Sequence, residues 1–200
     1  VDDPATLKAL AQENYLPEIA LCLDDAGQVF ENKTQVLLAE KSYREAIRLR
    51  KLSQSLAQEN RRIDQFLARS ETNLGKLLFD NDRYEESRLS LDAANAIYAS
   101  LVKDFPERMD YRTEWTVCLM TLAKCSHNKE DYLQAANYAE LAIQQLQFAA
   151  KQSNSIPVQD GLARSTFSHS YYLGLAGNRK AALTQFQKAK ELSKDRFGPL

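Results

Sequence analysis

The pattern of small and apolar residues repeats four times along the chain, with a period of 47 to 48 residues. An alanine recurs at Ala46, Ala94, Ala142 and Ala189, so that successive copies are 48, 48 and 47 residues apart. Each copy has an apolar residue three positions earlier and small residues further upstream. These columns contain Tyr43, Leu91, Ala139 and Phe186, then Ala39, Ser87, Ala135 and Ala182, then Gly27, Gly75, Ala123 and Ser170. A fixed period of this length is the signature of a repeat architecture.

Each repeat predicts two helices joined by a turn. In the second repeat, Leu67, Leu74 and Leu78 fall on one helix face because their spacing follows the 3.6-residue period. Turn-forming residues at 80–82 end this pattern, and a second apolar stripe runs from Tyr84 to Val102. We therefore predict an all-α solenoid of four long helix-turn-helix repeats. Its turns are expected near residues 31–35, 80–83, 127–131 and 176–179, and its repeats at about 19–63, 64–106, 107–156 and 157–198, after an N-terminal partial or capping helix over 1–18.

The small residues of the repeat predict where helices approach closely. Gly27 and Gly75 are expected where the first helix of a repeat meets the second, as are Ala123 and Ser170. The alanines at the 48-residue spacing, such as Ala94, are expected to be fully buried where one repeat meets the next. A single repeat cannot bury its apolar face alone, so stacked neighbours are needed to supply the core.

Composition and charge exclude several classes of protein. The 200 residues are 44% hydrophobic and 26% charged, which is typical of a folded globular chain. Lys and Arg number 26 against 27 Asp and Glu, so the net charge of −1 argues against chain-wide nucleic-acid binding. No apolar run reaches the length of a membrane span. Three cysteines without a CxxC pair favour a reducing, cytoplasmic compartment. Since the sequence begins with Val1 and shows no signal peptide, we expect a segment of a longer protein.

The spacing of small, aromatic or leucine, and alanine positions resembles the tetratricopeptide repeat (TPR) family, most closely in residues 73–87 and 177–189. The resemblance spans about residues 19–195 and implies stacked helical hairpins whose first helices line a concave groove. The usual TPR unit has about 34 residues. The excess of about 14 residues equals roughly four helical turns, which we interpret as two extra turns in each helix. A HEAT-type or armadillo-type solenoid, with a period of about 40–47 residues, is the alternative fold.

Two short phrases carry a more particular resemblance. The phrase over 101–106, followed by Tyr111-Arg112, is similar to long TPR units of planctomycete-type bacterial proteins, as is the Leu-Ala-Arg-Ser tetrad at 67–70 and 162–165. Some of those proteins carry a Ser/Thr protein kinase domain. The resemblance therefore implies a link to bacterial signalling.

The sequence contains no residue set typical of a catalytic, cofactor or metal site, since HExxH, phosphate-loop and GxSxG patterns are missing. His127 is predicted at the surface near a turn, and His169 is predicted to be partly buried with its hydrogen bonds satisfied. Trp115, Cys118 and Cys125 are predicted to pack in the core. A basic cluster is expected to solvate one long helix, with phosphate binding as the less favoured alternative: Arg48, Arg50, Lys51, Arg61 and Arg62.

The TPR resemblance also implies a candidate peptide-binding surface on the first helices. Its residues are Arg69, Asn73, Lys76, Met120, Lys124, Arg164, Phe167 and Tyr171. Basic and aromatic side chains together suit an acidic partner segment with apolar anchors. The two-carboxylate clamp that holds chaperone C-termini is not expected, because other residues occupy several of its columns: Asp24, Gln28, Thr72, Thr121 and Ser168.

The sequence leaves three functions open. The leading hypothesis is a non-enzymatic scaffold that binds a protein or peptide segment in the concave groove. The second is a regulatory or sensor segment of a larger bacterial signalling enzyme such as a Ser/Thr protein kinase. An enzyme within these residues would need converging titratable groups, and the sequence offers none. No cofactor, nucleic-acid partner or membrane partner is predicted.

Overall fold

A computed structural model describes residue 3 and the ranges 15–56, 61–153 and 155–197, and these residues form eight α-helices and no strand. Consecutive helices pack as hairpins, which confirms the predicted all-α helix-turn-helix class. The helices are α1 (Tyr15–Asn32), α2 (Val36–Leu56), α3 (Arg61–Asp80), α4 (Tyr84–Asp104), α5 (Met109–Asn128), α6 (Tyr132–Gln152), α7 (Ile156–Leu175) and α8 (Arg179–Phe197).

The chain divides into two compact units, Val1–Pro106 and Glu107–Leu200. Unit 1 contains the α1–α2 and α3–α4 hairpins, and α2 also packs against α3. Its core joins Tyr43 of α2 to leucines of α3 such as Leu74 and Leu78. Unit 2 contains the α5–α6 and α7–α8 hairpins, and here Ala123 of α5 and Ala139 of α6 pack with Tyr172 of α7. In each unit the first helix of one hairpin also contacts the first helix of the next.

All four hairpin turns use the same backbone geometry at the predicted positions. One residue of each turn has a positive φ: Thr34 (58°), Asp82 (61°), Glu130 (59°) and Gly177 (83°). The next residue donates its N–H to a carbonyl five positions earlier, as from Gln35 to Phe30 at 2.8 Å. This is the Schellman motif, which satisfies carbonyls at a helix C-terminus. The positive-φ residues are 48, 48 and 47 residues apart, so the backbone conformation repeats with the same period as the side-chain pattern.

The column of Gly27 and Gly75 lies where it was predicted, at close contacts within hairpins, whereas Ala46 packs with Leu16 and Ala20 of its own hairpin. A Cβ atom on Gly27 would come within 2.5 Å of the Tyr43 ring, and one on Gly75 within 2.6 Å of Leu91 Cγ. The Ser87 hydroxyl also crosses the second hairpin to donate to the Gly75 carbonyl at 2.7 Å. Ala94 and Ala142 are completely buried, as predicted.

The start of the array differs from the prediction. Helix α1 begins at Tyr15 rather than near residue 19, and Leu16 is completely buried against α2 in the core. Residues 15–18 therefore belong to the first hairpin and not to a separate cap. The rest of the predicted cap, apart from residue 3, lies outside the described residues.

Candidate functional site

The predicted site residues lie on the first helices of three hairpins. Arg69, Asn73 and Lys76 lie on α3 in unit 1. In unit 2, α5 carries Met120 and Lys124. Helix α7 carries the other three, Arg164, Phe167 and Tyr171. The surface made by α1 and α3 is called the α1/α3 face below, and that made by α5 and α7 the α5/α7 face.

The α5/α7 face exposes large apolar side chains. Phe167 and Tyr171 are 54% and 50% exposed, and their spacing of four residues places them on the same side of α7. Leu175, one turn further along, is also exposed, as is Val117 of α5. The Phe167 ring lies 6.0 Å from the ring of Phe186 on α8. Phe167, Tyr171 and Leu175 therefore form an apolar strip along one side of α7 that the hairpin cores of unit 2 do not cover.

Charged and flexible side chains also lie on α5 and α7. Lys124 is exposed on α5, and Arg164 is exposed on α7, where it pairs with Asp160 at 3.1 Å. Met120 is half-buried, because it packs against the alanine-rich core around Ala135 and Tyr172. Met120 therefore contributes an edge rather than a freely exposed anchor.

His127 lies near the turn that follows α5, as predicted, and its ring takes part in an aromatic cluster. Its ring is half-buried, with centroids 5.7 Å from Tyr132, 5.6 Å from Tyr171 and 5.7 Å from Tyr172. The Tyr171 hydroxyl also lies 3.4 Å from His127 Nε2. The cluster joins α5, α6 and α7, and it fixes the orientation of Tyr171 at the rim of the apolar strip.

On the α1/α3 face, Lys76 already has a carboxylate partner. Its ammonium group lies 2.6 Å from the Glu31 carboxylate of α1, which also accepts a hydrogen bond from the Tyr43 hydroxyl at 3.0 Å. Burial and the neighbouring Glu31 carboxylate raise the pKa of Tyr43, so this hydroxyl stays a donor. A partner carboxylate at Lys76 would have to compete with Glu31.

A buried polar cluster lies beside this ion pair, and the sequence did not predict it. Arg50 was expected at a solvated surface, but it is only 1% exposed and pairs with Asp24 of α1 at 2.7 Å. Ser70 of α3 donates to the Asp24 carboxylate at 2.9 Å and accepts from Arg50. Burial raises the pKa of the Asp24 carboxyl, against the opposing effects of Arg50 and Ser70. The cluster links three helices of unit 1 through one ion pair.

A signal for Arg50 was present in the repeat itself. Moving by the repeat period from Arg50 leads to Tyr98 and Leu146, and both are buried. The column therefore faces inward in three repeats, whatever residue occupies it.

Several other residues singled out in the sequence are buried. Trp115, Cys118 and Cys125 are buried, as predicted. His169 is buried, and its Nδ1 has no hydrogen-bond partner among the described residues, so the structure does not confirm the prediction of a satisfied histidine. Burial lowers the pKa of His169. Within the described ranges, no group of His, Cys, Asp and Glu side chains could hold a metal ion. None of the described helices is both long and apolar enough to cross a membrane.

Comparison with known proteins shows the fold. The structure of BtubC (BKLC) from P. vanneervenii superposes with a TM-score of 0.71 at 14% identity, over 90% of this chain and 65% of that one. The apo form of RapI superposes with a TM-score of 0.69 at 15% identity, over 91% of this chain and 44% of RapI. The chain has a TPR-like helical repeat fold. It spans less than two thirds of the length of either protein. No protein-family model and no curated protein matches the sequence.

Proposed function

We propose that the chain is a non-enzymatic scaffold for protein–protein interaction, which binds a partner segment on the α5/α7 face of unit 2. The observation that carries this proposal is the exposed pair Phe167 and Tyr171 on the α5/α7 face. Tyr171 is held in place by the His127 cluster, so one ring is pre-oriented and loses little conformational freedom on binding. Aromatic anchors of this kind carry much of the energy of protein interfaces.

The charges beside the strip favour an acidic partner segment with leucine or aromatic anchors. Lys124 and Arg164 are exposed on α5 and α7, and exposed cations accelerate the association of an acidic segment. Salt screens such charges over about 8 Å at physiological ionic strength, so the association rate should fall as salt rises. Loss of the rings should instead accelerate dissociation, because it removes buried apolar area.

The chain could act alone or as a segment of a larger protein. A regulatory segment of a bacterial signalling enzyme, such as a Ser/Thr protein kinase, is the second candidate, and it is supported by the phrases at 67–70 and 101–106. We also propose a cytoplasmic location. The proposed repeat boundaries lie near 63/64, 106/107 and 156/157. A kinase signature in the sequence that flanks this segment in its gene would favour the second candidate over a free-standing scaffold.

The experiment is a peptide-display selection against the full chain, followed by affinity and rate measurements on the selected peptide. Replacing both rings (Phe167→Ala with Tyr171→Ala) should weaken binding at least about tenfold, mainly through faster dissociation. Leu133→Ala on α6 is the matched control, because Leu133 is an exposed apolar residue of the same unit outside the α5/α7 face. Charge reversal of Lys124 and Arg164 should slow association. Equal affinities for the ring variant and the wild type would refute the proposal.

A further inference from the structure

The buried cluster of unit 1 has more hydrogen-bond donors than acceptors. Three nitrogen atoms there are buried and have no hydrogen-bond partner among the described residues: Arg50 Nη2, Arg69 Nε and Asn73 Nδ2. Folded proteins satisfy about 90% or more of their buried polar groups, so three unpaired donors on adjoining helices are an unusual concentration. Arg50 belongs to α2, whereas Arg69 and Asn73 are four residues apart on the same side of α3.

Both guanidinium groups contact the same aromatic ring. Arg69 Cζ lies 4.6 Å and Arg50 Cζ 5.6 Å from the centroid of the Phe66 ring. Arg62 lies over the same ring at 5.5 Å, but it has further interactions of its own and is not counted among the unpaired donors. Phe66 and Arg69 are half-buried, so the cluster reaches the surface at their side.

The cluster also carries one more positive charge than negative charges. Arg50 is neutralised by Asp24 at 2.7 Å, and Lys76 by Glu31 at 2.6 Å. Arg69 contacts the face of Phe66 and forms no ion pair with any described residue, although its charge acts on the Asp24 carboxylate that pairs with Arg50. One positive charge is therefore left over in a partly desolvated place, where an uncompensated charge is unfavourable.

We infer that this cluster is a binding site for a single carboxylate, the side chain of a partner's Asp or Glu, held by Arg69 and Asn73 with Arg50 behind them. A carboxylate brings one negative charge and two acceptor oxygens, which matches the one surplus charge and the unpaired donors. A phosphate dianion would leave the cluster with a net negative charge. The inference rests on the proposed protein-binding function and adds to it a carboxylate site within unit 1.

Binding needs only a small rearrangement. Arg69 makes no hydrogen bond to a described residue, so its guanidinium can rotate off Phe66 without breaking one. Arg50 stays in place, because Asp24 and Ser70 hold its other nitrogen. The site thus combines one fixed cation with one adjustable cation.

The test is an NMR titration that follows the arginine Nε–H signals of the full chain, with N-acetylglutamate amide as the probe at constant ionic strength. The inference predicts a saturable shift of the Arg69 signal, and the neutral N-acetylglutamine amide should produce none. Arg164→Gln is the matched control, because Arg164 is an exposed arginine whose partner is Asp160. It should leave the titration of Arg69 unchanged.

Two variants establish the site. Asn73→Leu, which leaves both arginines in place, should weaken probe binding by about tenfold as read on the Arg69 signal. The Arg50 signal of the wild type should show a saturable change as well, and Arg69→Gln should abolish it. A linear, non-saturating drift of the Arg69 signal would overturn the inference, as would equal shifts with the glutamine probe. Tighter binding of inorganic phosphate at the same signal would overturn the assignment to a carboxylate. These readouts are in unit 1, so they can fail while the ring variants of unit 2 still lose partner binding, and the reverse also holds.

Discussion

The contact between Gly75 and Leu91 allows a quantitative test of the repeat frame. A Cβ atom on Gly75 would lie 2.6 Å from Leu91 Cγ and 3.2 Å from the Ser87 carbonyl oxygen, so Gly75→Ala forces the second hairpin apart. Overpacking of this kind costs about 1–3 kcal/mol, and the better helix propensity of alanine returns up to about 1 kcal/mol. We expect a net loss of about 1–2 kcal/mol in the free energy of unfolding.

The third repeat supplies the compensating change. It has Ala123 and Ala139 in the columns of Gly75 and Leu91, and both are completely buried. Leu91→Ala alone should cost about 2–5 kcal/mol, because it leaves a cavity at a fully buried position. In the double variant the added methyl group fills part of that cavity, so the two losses should not add.

A double-mutant cycle measured by urea unfolding gives the coupling energy. We expect the double variant to be about 1–3 kcal/mol more stable than the sum of the single losses predicts. The four free energies can be compared only if all four proteins unfold with the same denaturant slope. Losses that add to within about 0.5 kcal/mol would refute the assignment of these residues to facing columns.

Three further predictions concern single sites. Gly177→Ala should destabilise the chain by about 1 kcal/mol, because its φ of +83° is unfavourable for alanine, and no clash contributes because nothing lies within 4 Å of the added methyl group. Gly174→Ala, on the preceding helical turn, should instead stabilise the chain. Unfolding curves of the two variants that move in the same direction would contradict this. Burial lowers the pKa of His169 below its usual 6.5, so the unfolded state binds the proton more tightly. The stability that neutral His169 contributes is complete above pH 6.5 and is lost as the pH falls below that value. The difference in the free energy of unfolding between the wild type and His169→Phe should therefore change as the pH is lowered, and a constant difference would contradict this. Ala142→Leu should lower stability by about 1–3 kcal/mol, because Ala142 is completely buried, and a thermal melt equal to that of the wild type would argue against the predicted frame.

Much of the fold could be predicted because small residues recur where helices touch. Gly27 and Gly75 have no room for a side chain, so their column constrains residue type and is visible in a single sequence. The Schellman turns were located by position but not by conformation. Thr34, Asp82 and Glu130 share no chemistry that favours a positive φ. The hairpin closure imposes that angle on whichever residue stands there.

The candidate site was harder to predict because polar residues follow no hydrophobic period. The exposed rings Phe167 and Tyr171 were found through the TPR columns. The partner of Lys76 was not, since Glu31 lies 45 residues away on another helix. Arg50 was misplaced because a charged residue on a helix is usually solvated, and only the burial of its equivalents Tyr98 and Leu146 indicates otherwise.

The most direct test of the scaffold hypothesis is an NMR map of where the selected acidic peptide binds on the full chain. The measurement compares side-chain signals of Phe167 and Tyr171 on the α5/α7 face with those of Leu37 on α2 and Leu133 on α6, which are exposed elsewhere. The account predicts large, saturable changes at the two rings and at Lys124, with little change at the two leucines. Changes centred on Leu37 or Leu133, with both rings unaffected at saturation, would contradict it.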